Sequence, residues 1–141
     1  MEQRLTVVTL GVADLERSAR FYEGALGWRR SPQSQEGVIF FSLGGWVLSL
    51  FGRKDLAADA HVSADGSGFS GIALAHNVGS PAEVDAVLAQ ASQHGGRVVK
   101  AGEQALWGGD SGYSVDPDGH LLEVAHNPFW PLDERGQVDI G

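Results

Sequence analysis

Apolar and polar positions follow two alternating periods along the chain, and the same succession of periods occurs twice. Residues 5–12 (LTVVTLGV) have the length and β-branched content of a buried strand. Asp14 then stands where a helix cap belongs. Leu15, Ser18, Ala19, Tyr22, Ala25 and Leu26 recur at helical spacing, and Gly27 supplies the stop. Glu16 and Arg20, four apart, are expected to face water together. Three short strands are predicted at 28–31, 38–43 and 46–51, the last two joined by a two-residue Gly44-Gly45 turn.

From 52 to 68 the chain is rich in Ala, Asp, Ser and Gly, the composition of a linker. The pattern then restarts. Residues 69–78 are a second apolar run, and Ser80-Pro81-Ala82-Glu83 has the form of a capping box with proline at the first helical position. Val84, Val87, Leu88 and Ala91 make the buried stripe of that helix, and Gly95-Gly96 ends it. Strands are expected at 97–100, 112–115 and 121–126, the last pair joined by Asp116-Pro117-Asp118-Gly119. The prediction is an α+β domain of two βαβββ modules, about 4–51 and 69–127, with a C-terminal strap at 128–141. A module of this size cannot cover its own sheet, so two modules are expected to form a curved mixed sheet around a central cavity.

Composition narrows the function. The net charge of −8 and the presence of only two lysines leave no basic stripe for phosphates, which argues against a nucleic-acid partner. The acidity favours a cationic ligand by steering. With no cysteine, disulfides and thiolate metal sites are excluded. No apolar stretch approaches the roughly 18 residues a membrane span needs, and no signal-peptide core follows Met1, so the cytoplasm is the expected location.

Several short motifs resemble chemistry without its context. Gly66-Ser67-Gly68-Phe69-Ser70-Gly71 fits the dinucleotide fingerprint in spacing, but it follows a polar segment and enters a strand instead of opening a helix. Gly109-Asp110-Ser111-Gly112 has no matching histidine segment, and Asp116 and Asp118 lack the further oxygen ligands of a calcium loop. Phe129 and Trp130, between Pro128 and Pro131, suit a strap lying on the body or against a second copy.

Two longer segments resemble a known family. Gly11-Val12-x-Asp14-Leu15-x-x-Ser18-x-x-Phe21-Tyr22, closing at Leu26-Gly27-Trp28, is similar to the opening of the vicinal oxygen chelate superfamily. Asp116 to Val124 resembles its closing hairpin. That superfamily includes glyoxalases, extradiol dioxygenases, fosfomycin-modifying enzymes and bleomycin-binding resistance proteins, so the resemblance speaks to fold more than to reaction. It implies a divalent metal held from Val7, Ser49, Gly71 and Glu123, of which only Glu123 is a strong ligand. The expectation is therefore a site with no metal and no other cofactor.

Strand alternation supplies the remaining candidates. If Glu123 faces the cavity, Val7, Thr9, Val47, Ser49, Phe51, Ala73 and Ala75 share that side, whereas His76, His120 and His126 face away unless a bulge intervenes. Gly71, Trp107 and Tyr113 complete the expected ligand pocket, with Glu123 as base or hydrogen-bond acceptor. The functional expectation is a homodimeric binder of a small cationic or aromatic molecule. The alternative is a lyase, isomerase or dioxygenase of the same superfamily acting on a small oxygenated metabolite.

Overall fold

Hydrophobic alternation is realised in two sheets, each with one side buried against a helix. A computed structural model describes residues 1–141, which divide into two compact units, 1–70 and 71–141. The first holds β1 (Val7–Val12), α1 (Leu15–Ala25), β2 (Val38–Ser42), β3 (Val47–Gly52) and α2 (Arg53–Asp59). The second holds β4 (Ala73–Asn77), α3 (Pro81–Gln93), β5 (Arg97–Gln104), β6 (Asp110–Val115) and β7 (Leu121–His126). The sheets run β1-β3-β2 and β4-β7-β6-β5, with β1–β3 and β4–β7 parallel and the other pairs antiparallel. The mixed α+β architecture is thus present and consistent with two βαβββ modules, the second complete and the first one strand short, and neither sheet closes into a barrel.

Local chemistry explains the element ends. The Asp14 carboxylate accepts a hydrogen bond from the Arg17 N–H at 2.9 Å and starts α1. Ser80 Oγ accepts from the Glu83 N–H at 3.3 Å and donates to Glu83 Oε2 at 3.2 Å, starting α3 behind Pro81. Gly44 and Gly45 both take positive φ, and the Leu43 N–H reaches the Trp46 carbonyl at 2.9 Å to close the β2–β3 turn. Between β6 and β7 the Asp116 carboxylate accepts from the N–H groups of Asp118 and His120, at 2.9 and 2.8 Å.

In the first unit α1 lays Phe21, Tyr22 and Ala19 on the sheet side that carries Phe41, Leu48 and Leu50, all of them buried. Tyr22 stacks on Trp28 with ring centroids 5.5 Å apart, and both rings meet Phe41 at 6.0 Å. In the second unit Val84 and Leu88 of α3 form a core with Val124, bordered by Val78, Val87 and Val98.

Three expectations need correction. Residues 28–31 form no strand, only the single bridge Arg30–Phe41, so the first sheet has three strands and not four. Here side chains outcompete ladder pairing: Trp28 is committed to Tyr22, and Arg30 is held by Glu16 and Glu23 at 2.9 Å. Both carboxylate oxygens of Glu16 accept from Arg30 in a bidentate pair. The segment after β3 is not wholly linker. Arg-Lys-Asp-Leu-Ala-Ala-Asp is made mostly of good helix formers and becomes α2, which buries Ala57 and returns onto β1 and β3. The strand predicted to begin at 69 begins at Ala73, because Gly71 takes a φ of +78° that interrupts extended backbone.

β5 carries two register shifts, between Val98 and Lys100 and between Lys100 and Glu103. Gly112 sits in the crowded place this creates. A β-carbon there would stand 2.5 Å from Leu88 Cδ1 and 2.9 Å from both the Gly102 nitrogen and the Lys100 oxygen. Gly112→Ala is expected to destabilise the protein by about 1–3 kcal/mol through overpacking, read as a lower urea midpoint at unchanged slope.

Candidate functional site

Strand pairing without bulges decides which side chains share a face. β4–β7 and β6–β7 both run in continuous register, so the rows Ala75–Glu123–Tyr113 and Ala73–Leu121–Val115 can be read directly across three strands. Val124, one position away, packs on α3, and Gly112 opposite it abuts Leu88. Glu123 and Tyr113 therefore point to the face away from α3.

On that face Tyr113 and Glu123 stand directly opposite each other on paired strands, with the phenol beside the carboxylate. Partial burial first, then the charge and acceptor capacity of neighbouring Glu123, push the phenol pKa above its ordinary value, with Lys100 opposing. Tyr113 stays protonated across the physiological range and acts as a donor. On the other side of Glu123 lie Ala73 and Ala75, both exposed, whose small side chains leave the carboxylate accessible from β4. Ser111 is buried in the next row with Ala125.

The first unit repeats this one-sidedness. Val7 pairs with Val47, Thr9 with Ser49 and Gly11 with Phe51, all on the sheet side opposite Phe41 and α1. Ser49 is buried in the central strand between Thr9 and Phe40, whereas Val7 and Thr9 on the edge strand are exposed. α2 covers the far end of this side, where Arg53 Cα comes within 3.2 Å of the place a Gly11 β-carbon would occupy.

The other candidates are placed differently. Gly71 precedes β4 and is exposed. Trp107 lies in the β5–β6 turn with its ring over Gly109, beside the main chain at His126. Asp110–His126 is three residue pairs from Tyr113–Glu123, about 10 Å along the strands. His126 points its Nδ1 to the Val78 carbonyl at 3.2 Å, and His94 its own to the Gln90 carbonyl at 2.8 Å. His76 pairs with Val124 on the α3 side, and partial desolvation holds its pKa below the usual imidazole value.

The donor set does not suit a divalent metal. Of the four positions implied by the family resemblance, Val7 and Gly71 have no ligating side chain. Glu123 has alanine on one side and a protonated phenol on the other. No group of three or more His, Cys, Asp or Glu side chains lies close enough together to hold a metal ion.

One residue of this face escapes sequence reasoning. Regular alternation from the Val98–Ser114 pair would put Val99 opposite Tyr113, but the bulge puts Lys100 there. Arg97, paired with Val115, stands on the same face one row away. Glycine at 102 and 112 is the only hint of the irregularity in the sequence.

Comparison with known proteins agrees with this architecture. The family model described as Glyoxalase/Bleomycin resistance protein/Dioxygenase superfamily matches residues 4–124. A crystal structure of a glyoxalase-related enzyme from Fulvimarina pelagi is 36% identical, covers 99% of both chains and superposes with a TM-score of 0.90. Lactoylglutathione lyase from Agrobacterium tumefaciens (21% identity, 93% of this chain and 98% of that one, TM-score 0.68) shares the fold. So does a glyoxalase/bleomycin resistance protein/dioxygenase family enzyme from Burkholderia phytofirmans PsJN (17%, 86% and 96%, 0.77). No curated protein sequence matches. Matched over most of its length by the family model and nearly end to end by a 36% identical structure, the chain belongs to the glyoxalase/bleomycin resistance protein/dioxygenase superfamily.

Proposed function

We propose that the chain binds a small organic molecule on the face of its second sheet away from α3, with Glu123 accepting a hydrogen bond from the ligand and no metal ion between them. The observation that carries this is the environment of Glu123, with a phenol donor on one side and exposed Ala73 and Ala75 on the other. A carboxylate flanked by Tyr113 and Ala75 in a continuous register offers its open side to a ligand hydroxyl or amine arriving over the alanines. The net charge of −8 opposes a nucleic-acid partner. The face of Val7, Thr9, Val47 and Ser49 has the same apolar, hydroxyl-bearing character and is proposed as ligand-facing in its own unit.

A second reading, catalysis, is favoured by the 36% identity to a glyoxalase-related enzyme over 99% of both chains. Glu123 would then be the base of a lyase or isomerase acting on a small oxygenated metabolite. Glu123→Gln separates the two readings. In a binder it lowers affinity for amine or alcohol ligands about tenfold or more, in line with the roughly 1.5–3 kcal/mol of a hydrogen bond to a charged group. In an enzyme it abolishes turnover while substrate binding persists. Unchanged affinity and unchanged turnover would remove Glu123 from both.

Elemental analysis of the purified, untagged protein should find less than about a tenth of an equivalent of divalent metal, and added Zn²⁺, Mn²⁺ or Ni²⁺ should not raise the melting temperature. A stoichiometric ion or marked stabilisation, as mass action predicts for native-state binding, would overturn the metal-free proposal.

We also propose a homodimer. β1 and β4 each end a sheet, and exposed Leu5 and Val7 at one and Phe69 and Ile72 at the other are apolar surface suited to a second copy. Light scattering on the eluting peak should return twice the chain mass; the mass of a single chain at micromolar concentration would refute this.

A further inference from the structure

The bulges in β5 give the face around Glu123 a charge pattern that strand alternation alone would not produce. By the continuous registers of β4, β7 and β6, one row reads Ala75, Glu123 and Tyr113, and the shift between Val98 and Lys100 extends it with Lys100. Arg97 ends the adjacent row, opposite Val115. Lys100 on β5 thus stands across Tyr113 from the Glu123 carboxylate on β7, with Arg97 across Val115 in the next row. Two strand spacings, about 10 Å of backbone, separate the oppositely charged ends, and long side chains can close much of that distance. Lys100 is engaged by Glu103, Nζ to Oε1 at 3.1 Å, with both side chains largely exposed. An exposed pair of this kind is weakly held and readily exchanged for a competing anion.

Resting on the proposal that Glu123 accepts a ligand donor, we infer that the site is bipolar: Lys100, with Arg97, holds a carboxylate while Glu123 accepts from a hydroxyl or amine at the ligand's other end. The ligand class is a short hydroxy acid or amino acid lying across Tyr113. Tyr113 is a positioning residue, and Lys100 determines specificity by requiring the acid. Glu103 is the internal anion that the ligand carboxylate displaces.

The test titrates the full-length protein, labelled with ¹⁵N and with ¹³C at the tyrosine Cζ, with 4-hydroxybutyrate, and in parallel with 1-butanol and with butyrate. Only two tyrosines are present, and Tyr22 is fully buried, so the Tyr113 signal is readily assigned. 4-Hydroxybutyrate should bind about tenfold more tightly than either fragment and shift the Tyr113 Cζ resonance, and added salt should weaken it more than butanol. Lys100→Met should remove that advantage while leaving butanol affinity unchanged. Glu103→Gln, which frees Lys100, should strengthen 4-hydroxybutyrate binding. Equal affinity for the hydroxy acid and for butanol, or an unaltered hydroxy-acid affinity in Lys100→Met, overturns the bipolar site and leaves the Glu123 proposal standing. If neither compound perturbs the Glu123 and Tyr113 signals, both proposals fall together.

Discussion

A four-stranded sheet has two faces, and α3 can bury only one of them. This constraint governs the second unit. Val84 and Leu88 claim the side of Val124 and Gly112, so every alternate residue of β6 and β7 is turned the other way, Tyr113 and Glu123 among them. A carboxyl group on a partly apolar face needs polar company, and the Tyr113 phenol directly opposite supplies a donor beside it. The chemistry of the face is therefore a by-product of helix packing on its reverse: whatever holds α3 in place also aims Glu123.

The first unit is built on the same constraint with a different filling. Its helix side is sealed by an aromatic cluster of Phe21, Tyr22, Trp28 and Phe41, large rings that take up their volume in fixed mutual orientations. The bidentate grip of Arg30 on Glu16, together with its contact to Glu23, ties the segment after α1 back to that helix. This explains why a segment with strand-like composition stays out of the sheet. Its side chains are already spoken for.

Much of this was legible in the residues, and the failures have a common cause. Caps and turns rest on interactions within a few positions, so Asp14, Ser80, Gly44-Gly45 and Asp116 could be read from spacing alone. The 121–126 strand and the shared side of Ala73, Ala75 and Glu123 followed from alternation, because β4 and β7 contain no bulge. What could not be read depends on partners distant in sequence. Arg30 meets Glu16 fourteen residues away, and α2 forms where a polar composition meets the flank of β1 and β3. Lys100 is the sharpest case. Its place opposite Tyr113 depends on where β5 slips against β6, and alternation counted along one strand is blind to that slip.

The irregular strand also bears on how such a face can diversify. In an unbroken ladder, a one-residue insertion would flip every later side chain and ruin the core. β5 has already absorbed such slips at Lys100 and at Glu103, while Val98 still packs beside α3 and the Asp110–Gln104 pair is kept. Gaining or losing a residue between those anchors would change which side chain stands opposite Tyr113 and leave the buried side intact. For this edge of the sheet, altered length is as ready a route to a new ligand preference as altered residue identity.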